Sequence, residues 1–504
     1  MAAGEAMSAQ GDSPAAKQSL GQLGRRALSL GAANAFDYAV QFLLPVVLVR
    51  CLDAAAFGHY RLLWLAVGTA MAVVSLAVPG SLYYYLPRSD AAAKRLYINQ
   101  TLLFLILSGA IAAWAVSDWN PWLPGKLREL TQSDWLVPAF LFFWIVASLL
   151  DLLPTVEERV GWQARATVSL AVVRAVSLSL AAILTRELAP VLMTLLGFVA
   201  FKLLILARYL AAYHGLRGPV VRRATAADQL RLSAPFWVGS ALYGLRAQAD
   251  QWVAAALFPL TLFASFSIAG VLAPLINLFR QSVNHVFLPS MSRLEAAGSV
   301  TGMLELNSRA NVMVGALVLP LLAFAFVFAE EIVTVVYTDA YVAAAPVMRI
   351  YIVGLAALVV ELATISLLLR QGALMMWVNL GTLALAVAVN WLAALHYGLP
   401  GAAAGTVVAI YVDRIVTVAR IARLTKTPFG RMQDWRALGT LLALSAISAA
   451  VTWAVITRYL GASGPLARVF AGACLLAAVY GALRLCLGLD RDLLRMVRDL
   501  RHSS

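Results

Sequence analysis

The chain has 504 residues, of which 62% are hydrophobic and only 13% are charged, and its mean hydropathy is +0.81. Soluble domains carry about 25% charged residues, so there are too few charges to cover the several soluble domains that a chain of this length would form. The composition nearly excludes a soluble enzyme and indicates a membrane protein with many spans. The net charge of +14 indicates either a surface for nucleic acid or another anion, or basic cytoplasmic loops.

Fourteen segments are apolar and long enough to cross a bilayer as helices, which takes about 20 residues each. The connections between them are short, so no folded extramembrane domain is expected. Because backbone polar groups in lipid have to be hydrogen-bonded within the protein, these continuous apolar runs predict an all-α polytopic membrane protein. In chain order the predicted spans are 27–49, 62–82, 97–117, 134–153, 161–184, 189–212, 234–257, 260–285, 312–336, 345–367, 371–395, 402–422, 437–457 and 466–487.

The spans are predicted to form two six-helix lobes and a C-terminal pair. A short apolar pattern that begins at Leu52 returns 206 residues later at Phe258. Six spans separate the two copies, so they share one orientation, as in a parallel repeat about an axis along the membrane normal. The predicted parts are a disordered cytoplasmic tail (1–24), an N-lobe of spans one to six (25–213), a basic cytoplasmic linker (214–231), a C-lobe of spans seven to twelve (232–424), and spans 13 and 14 with a cytoplasmic C-terminal tail (425–504).

The distribution of basic residues predicts the orientation in the membrane. If the N-terminus is inside, 26 of the 39 lysines and arginines fall in inner segments and 7 in outer ones. An excess of this size on one side sets the orientation of a membrane protein. Both termini are therefore expected in the cytoplasm, as an even number of spans requires. The charge of +14 is then a consequence of topology, and no nucleic-acid partner is expected.

Sequence signatures of catalysis are missing. There is no phosphate-binding G-x-x-x-x-G-K-[ST] loop, no H-E-x-x-H and no G-x-S-x-G. The five histidines and three cysteines show no metal-ligand spacing. A membrane glycan polymerase or ligase would usually need a sizeable outer loop, which the chain lacks. No catalytic residue, metal or cofactor is therefore predicted. Of the function classes considered, a transporter or channel is left.

Charged residues within the spans are the candidate functional residues, because an ionisable group at membrane depth is costly and usually faces a cavity or a partner. Arginine suits phosphate, since its planar fork donates paired hydrogen bonds and keeps its charge. The candidates for binding a pyrophosphate or glycan in a cavity are Arg174, Arg246, Arg280, Arg414 and Lys202. The candidates for coupling an ion, H+ or Na+, or for balancing charge are Asp37, Asp250, Glu361 and Asp413.

Structural pairing is the alternative interpretation of these charges. Arg246 and Asp250 are four residues apart, so they lie on one helix face and are equally suited to a neutral pair. Asp413 and Arg414 are adjacent and point to different faces, so they do not simply neutralise each other. A buried carboxylate such as Glu361 either binds and releases a proton or pairs with a nearby arginine.

Five stretches carry a resemblance to a known family. The first follows the R-x-L-x-x-x-x-F-G-x-Y pattern found after the first span of that family. A glycine that the family often has near Thr338 is absent. The stretches are RCLDAAAFGHY (50–60), SAP (233–235) with Asp250 beyond it, FLPSMS (287–292), VYTDAY (336–341) with AAAP (343–346), and NW (390–391) with YGLPGAAAG (397–405). In order and spacing, the sequence resembles the Wzx-type polysaccharide flippases of the multidrug/oligosaccharidyl-lipid/polysaccharide exporter superfamily.

The resemblance implies a V-shaped pair of six-helix lobes around a central cavity. It implies that undecaprenyl-pyrophosphate-linked oligosaccharide is flipped from the inner to the outer leaflet of the bacterial cytoplasmic membrane. Alternating access would be driven by an ion gradient or the membrane potential, and spans 13 and 14 would provide a surface for the lipid tail. The product would serve exopolysaccharide, capsule or O-antigen (lipopolysaccharide) synthesis, with polysaccharide polymerase and co-polymerase proteins as further partners.

Two other functions remain open. A multidrug/cation antiporter of the same superfamily would have twelve spans and a cavity with acidic and aromatic walls. A non-transport scaffold of a glycan assembly complex would have embedded charges that are all mutually paired and dispensable. The fourteen spans and the embedded arginines favour the flippase.

Replacement of Arg174, Arg246, Arg280 or Arg414 by alanine is expected to abolish glycan export, because each substitution removes a paired hydrogen-bond donor for phosphate. Export is measured as surface polysaccharide, and immunoblots of the membrane fraction check that each variant is inserted. Normal export by all four single variants would contradict the assignment of these arginines to a substrate cavity.

Overall fold

The computed structural model describes residues 14–123, 125–131, 135–215 and 218–487. Of these described residues 87% are helical, and none forms a β-strand. Eleven helices in this part are long and apolar enough to cross a membrane. The prediction of an all-α polytopic membrane protein is therefore confirmed.

The helices bear the labels α1 to α20 below. They are α1 (Pro14–Cys51), α2 (Ala54–Val74), α3 (Val78–Tyr85), α4 (Ala91–Ala115), α5 (Gly125–Thr131), α6 (Leu136–Ala147), α7 (Leu153–Val156), α8 (Val160–Thr185), α9 (Leu188–Tyr213), α10 (Arg223–Leu257), α11 (Leu260–Ala269), α12 (Leu272–Ala296), α13 (Val300–Val327), α14 (Ala329–Val336), α15 (Ala344–Ala357), α16 (Ala363–Leu368), α17 (Gly372–Thr425), α18 (Phe429–Met432), α19 (Trp435–Leu460) and α20 (Pro465–Cys486).

Each of the fourteen predicted spans falls on a helix or a pair of helices. The second span begins earlier than predicted, at Ala54 rather than near residue 62, because Asp53 caps it by accepting a hydrogen bond from the backbone N–H of Ala56 at 2.7 Å. It ends at Val74, and Pro79 then lies in the first turn of a separate helix, α3. The predicted span 62–82 therefore covers the end of one helix and most of another.

The chain divides into two compact units, Met1–Ser240 and Ala241–Ser504. Residues 1–13 of the predicted N-terminal tail and residues 488–504 of the C-terminal tail lie outside the described residues. The rest of the predicted N-terminal tail, from Pro14, is helical as the first part of α1, since proline is favourable at the first helical position. The predicted linker 214–231 is likewise helical from Arg223, where α10 begins.

Unit 1 is a bundle in which α1 packs on α8, α8 on α9, α9 on α6, and α6 on α4. The first part of α10 belongs to this unit. Its Gln229 is completely buried and bonds to the side chain of Gln100 on α4, whose Nε2 donates to Gln229 Oε1 at 2.8 Å. The indole N–H of Trp237 donates to the carbonyl of Val73 at 2.7 Å. These bonds hold the start of the seventh span in unit 1.

Unit 2 contains the remaining helices. Helix α13 packs against α12, α15 and α19, and α15 packs against α17. The C-terminal helices α19 and α20 belong to this packing through a core of Phe324, Phe328, Ala449, Ile456 and Leu476. They are therefore an integral part of unit 2.

Helix α17 contains a sharp break at Gly398, whose backbone is not helical (φ 65°, ψ −143°). The two halves fold back on each other, and they correspond to the predicted spans eleven and twelve. Asn390 joins them, because its Oδ1 accepts a hydrogen bond from the backbone N–H of Thr406 at 3.1 Å. A Cβ atom at Gly405 would lie only 2.6 Å from the carbonyl oxygen of Ala386, so close approach requires glycine here, as is common between membrane helices.

Substitution of Gly405 by alanine is expected to lower the melting temperature or to abolish the folded protein, because the two atoms nearest to the new Cβ, at 2.5 and 2.6 Å, are backbone atoms of the facing half of α17 and would have to shift. Fluorescence-detected size-exclusion chromatography after heating measures this. The matched control is Gly381→Ala on the same helix, where no atom lies within 4 Å of an added Cβ. Equal thermal stability of the two variants would contradict the close packing of the two halves.

Candidate functional site

A cavity of about 490 Å³ lies within unit 2, lined by α10, α11, α12, α15, α16, the two halves of α17 and the chain between α15 and α16. Six of the nine candidate residues from the sequence lie in its wall, three arginines and three carboxylates. They are Arg246, Asp250, Arg280, Glu361, Asp413 and Arg414.

Arg246 pairs across the cavity wall rather than along its own helix. Its Nη1 lies 3.5 Å from Oδ2 of Asp413 on α17, and it also donates to the hydroxyl oxygen of Thr382 at 3.3 Å. Arg246 therefore does not pair with Asp250 on its own helix face, as the alternative interpretation had it, but with Asp413. The two nearly buried charges join span seven to span twelve.

Arg280 pairs with Glu361 at a break in the tenth span. The predicted span 345–367 is interrupted, since α15 ends at Ala357 and α16 begins at Ala363. Arg280 Nε lies 3.2 Å from Oε2 of Glu361, and its Nη1 donates to the carbonyl oxygen of Leu358 at 3.1 Å. Arg280 thus satisfies both a carboxylate and one of the backbone groups that the break leaves without a helical partner.

Asp250 faces the cavity without a basic partner among the described residues. It is 3% exposed, its Oδ2 accepts a hydrogen bond from the hydroxyl of Tyr351 at 2.7 Å, and its Oδ1 accepts one from the backbone N–H of Gln251 at 2.7 Å. A buried carboxylate that has hydrogen bonds but no counter-charge favours a bound cation or a proton.

Arg414 is the arginine of the cavity wall that makes no ion pair within the described part of the chain. Its Nε is buried and has no hydrogen-bond partner. Asp413, its neighbour in sequence, is held by Arg246. Arg414 therefore lines the cavity with a guanidinium that no carboxylate of the described residues neutralises.

The charges of the cavity wall balance by count but not by pairing. Three arginines face three carboxylates, and two pairs among them neutralise each other. One cation, Arg414, and one anion, Asp250, remain. If a cation or a proton neutralises Asp250, the wall carries an excess of one positive charge, and an anion becomes its favoured occupant.

The other three candidate residues lie in unit 1 and line no part of this cavity. Arg174 Nη2 lies 2.7 Å from Oδ1 of Asp37. These two candidate residues therefore form an ion pair with each other. Lys202 Nζ lies 2.7 Å from Oδ2 of Asp151 and 5.2 Å from the centre of the Trp144 ring. In both pairs the basic group is buried and the carboxylate is more exposed.

A further charged cluster lies in unit 1 between α7 and α8. Glu157 accepts a hydrogen bond from the hydroxyl of Tyr209, and one of its oxygens lies 2.8 Å from Nε2 of His214. Burial raises the pKa of Glu157, but the bonds from His214 and Tyr209 more than offset this, and the pKa lies below its usual value. The carboxylate is thus fixed in its charged form and ties the end of α9 to the turn before α8.

Sequence reasoning missed the neutral polar residues that complete the site. Tyr351 supplies the hydroxyl bound to Asp250, and Asn307 and Asn311 bond to the backbone at the break in span ten. The sequence feature that could have indicated Asn307 and Asn311 is their spacing of four residues, which places both on one helix face just before the predicted ninth span. Among the described residues no group of three or more His, Cys, Asp or Glu side chains is placed to hold a metal ion.

Solved structures with the same fold are transporters. A lipid II flippase, MurJ, in an inward closed conformation has a TM-score of 0.66 at 13% identity, with 91% of this chain and 99% of that chain covered. An inward-facing multidrug resistance MATE family transporter of the MOP superfamily has a TM-score of 0.57 at 14% identity, covering 77% of this chain and 96% of that one. The MATE multidrug transporter DinF-BH, in a ligand complex, has a TM-score of 0.54 at 14% identity, covering 79% and 94%. At these identities the likeness shows the fold.

No curated protein sequence matches the chain. The model of one family, described as polysaccharide biosynthesis protein, matches residues 47–346, which is more than half of the chain. The family match and the transporter folds confirm the resemblance to the polysaccharide flippases of this superfamily. The chain belongs to this family of polysaccharide biosynthesis proteins.

Proposed function

We propose that the protein is a flippase that moves undecaprenyl-pyrophosphate-linked oligosaccharide from the inner to the outer leaflet of the bacterial cytoplasmic membrane. The glycan would serve exopolysaccharide, capsule or O-antigen synthesis. The family match and the fold shared with a lipid II flippase support a membrane transporter of a lipid-linked substrate. The observation that carries the proposal is Arg414, a guanidinium in a cavity of the membrane-spanning unit 2 with no acidic partner among the described residues.

The pyrophosphate is the part of this substrate that the cavity recognises. An unpaired guanidinium in a site of low dielectric binds phosphate oxygens through two parallel charge-assisted hydrogen bonds. Arg246 and Arg280 lie in the same wall and add positive potential, although each is held by a carboxylate. Replacement of those carboxylates by the pyrophosphate during transport would free two more donors.

Asp250 is the residue that we assign to ion coupling. When H+ or Na+ neutralises it, the wall gains an excess positive charge and holds the pyrophosphate more tightly. Linkage then requires that the bound pyrophosphate in turn raises the affinity of Asp250 for the cation. Asp250 and the substrate site are thereby linked, since each ligand biases the same equilibrium between inward-open and outward-open states.

A multidrug/cation antiporter is the second candidate, because two of the fold neighbours are multidrug transporters and Asp250 suits a cation. The unpaired Arg414 opposes an organic cation in the same cavity, since like charges repel. A scaffold without transport activity predicts that all embedded charges are paired, and Arg414 does not fit it.

Substitution of Arg414 by glutamine tests the pyrophosphate site. Loss of a charged hydrogen-bond donor costs about 1.5–3 kcal/mol, so binding of farnesyl pyrophosphate to the purified protein is expected to weaken about tenfold or more. Surface polysaccharide in a complemented deletion strain is expected to fall in parallel. The matched control is Arg420→Gln, an exposed arginine of the same helix, which is expected to bind and export normally.

Equal farnesyl pyrophosphate affinity for Arg414→Gln and Arg420→Gln would refute the assignment of Arg414. A wild-type protein that binds tetraphenylphosphonium but not farnesyl pyrophosphate would support the antiporter instead.

The orientation that flipping requires places both termini in the cytoplasm, as the excess of basic residues in the inner segments predicts. Alkaline phosphatase is active only outside the cytoplasm, so its fusion at residue 504 is expected to be inactive. A fusion after Gly461, in the connection between α19 and α20, is expected to be active. The reverse pattern of activities would contradict the proposed direction of transport.

A further inference from the structure

A buried cluster of polar side chains bonds to the backbone at the break in span ten. We call it the amide cluster. Its members are 1% to 7% exposed, although none of them lines the cavity. They are Asn307, Ser308 and Asn311 of α13 and Gln433, which lies between α18 and α19.

The amide cluster satisfies the backbone of the break. Asn307 Nδ2 donates to the carbonyl oxygen of Glu361 at 3.0 Å. Asn311 Oδ1 accepts a hydrogen bond from the N–H of Glu361 at 3.2 Å. Both backbone groups of Glu361 are thus bonded to α13 in place of the helical bonds that the break removes. Because an unsatisfied backbone group is costly at membrane depth, these two asparagines determine where residue 361 lies.

Asn311 is in turn held from the far side by Gln433. Asn311 Nδ2 donates to Gln433 Oε1 at 2.9 Å, and Gln433 Nε2 donates to the carbonyl oxygen of Ser308 at 3.2 Å. The hydroxyl of Ser308 accepts a hydrogen bond from the N–H of Asp434 at 2.8 Å. Asn311 therefore has its amide fixed between the break and the connector that leads to the C-terminal helices.

The connector itself is ordered at this point. The rings of Phe429 and Trp435 stack with centres 4.9 Å apart and planes inclined by 8°. Asp434 caps α19 by accepting a hydrogen bond from the N–H of Ala437 at 2.9 Å. Gln433 is thus presented to α13 by the same turn that starts α19.

We propose that Asn311 and Gln433 are positioning residues for Arg280. The chain of contacts runs from Gln433 to Asn311, from Asn311 to the backbone of Glu361, and from the Glu361 carboxylate to Arg280 in the cavity wall. The connector to the C-terminal helices therefore sets the position of a cavity arginine without contacting the cavity. This inference rests on the proposed function in one respect, since it takes pyrophosphate as the ligand that Arg280 helps to bind.

The test is a double-mutant cycle on binding of farnesyl pyrophosphate to the full-length purified protein in nanodiscs. Gln433→Ala is expected to weaken binding about fivefold to tenfold, because a misplaced charged donor loses much of its hydrogen bond. In an Arg280→Gln background the same substitution is expected to change the Kd less than about twofold, whereas in an Arg414→Gln background it is expected to keep its full effect. A general loss of structure would act equally in all backgrounds.

Gln229→Ala is the matched control, since it removes an equally buried amide in unit 1. It is expected to leave the affinity for farnesyl pyrophosphate unchanged. An effect of Gln433→Ala that is the same in all three backgrounds, or that Gln229→Ala reproduces, would overturn the positioning role.

Hydrogen–deuterium exchange gives a readout that needs no ligand. Gln433→Ala and Asn311→Ala are each expected to increase exchange in peptides covering residues 358–368, because they loosen the bonds on the backbone of Glu361, while peptides of unit 1 stay unchanged. If wild-type protein fails to bind farnesyl pyrophosphate, the proposed function fails, and increased exchange at 358–368 still supports the positioning role. Unchanged exchange in both variants would overturn it.

Discussion

A charge inside a bilayer has to meet an opposite charge, a hydrogen-bonding group or water, because lipid supplies none of them. The arrangement of helices in both units reflects this requirement. In unit 1 the buried Arg174 and Lys202 lie against carboxylates, and in unit 2 Arg246 and Arg280 do the same across helices far apart in the sequence. A buried ion pair adds little net stability, yet removal of one partner is strongly destabilising, so such pairs fix which helices are neighbours.

Because an embedded charge needs a partner, the charged residues that lack one are the most informative about function. Asp250 and Arg414 lie in one cavity wall, and neither has a counter-charge among the described residues. They therefore leave one carboxylate and one guanidinium without a counter-charge in the wall of the same cavity. The break in span ten follows from the constraint on backbone groups. It brings Glu361 to the cavity because Asn307 and Asn311 of α13 take over the hydrogen bonds that the helix gives up.

The sequence was sufficient for the helices, because continuous apolar runs leave a membrane chain no other structure. It also identified the charged residues of the cavity, since Arg246, Arg280 and Arg414 with Asp250, Glu361 and Asp413 are conspicuous in apolar segments. It did not predict the pairing of Arg246 with Asp413, which depends on how spans seven and twelve pack and has no local signal. The break at residues 358–362 contains no proline or glycine, and the asparagines that bond to its backbone lie on another helix. Helix starts were displaced where a cap such as Asp53 acts outside the apolar run.

In the proposed function, the guanidinium of Arg414, which has no ion-pair partner among the described residues, binds the pyrophosphate of a lipid-linked substrate. Cryo-electron microscopy of the full-length protein in nanodiscs with farnesyl pyrophosphate tests it directly. If Arg414 binds the diphosphate, density for it is expected in the unit 2 cavity, with its oxygens about 2.7–2.9 Å from the Arg414 nitrogens, as in charge-assisted hydrogen bonds. Diphosphate density elsewhere in the protein, with this cavity empty and Arg414 unengaged, would contradict it.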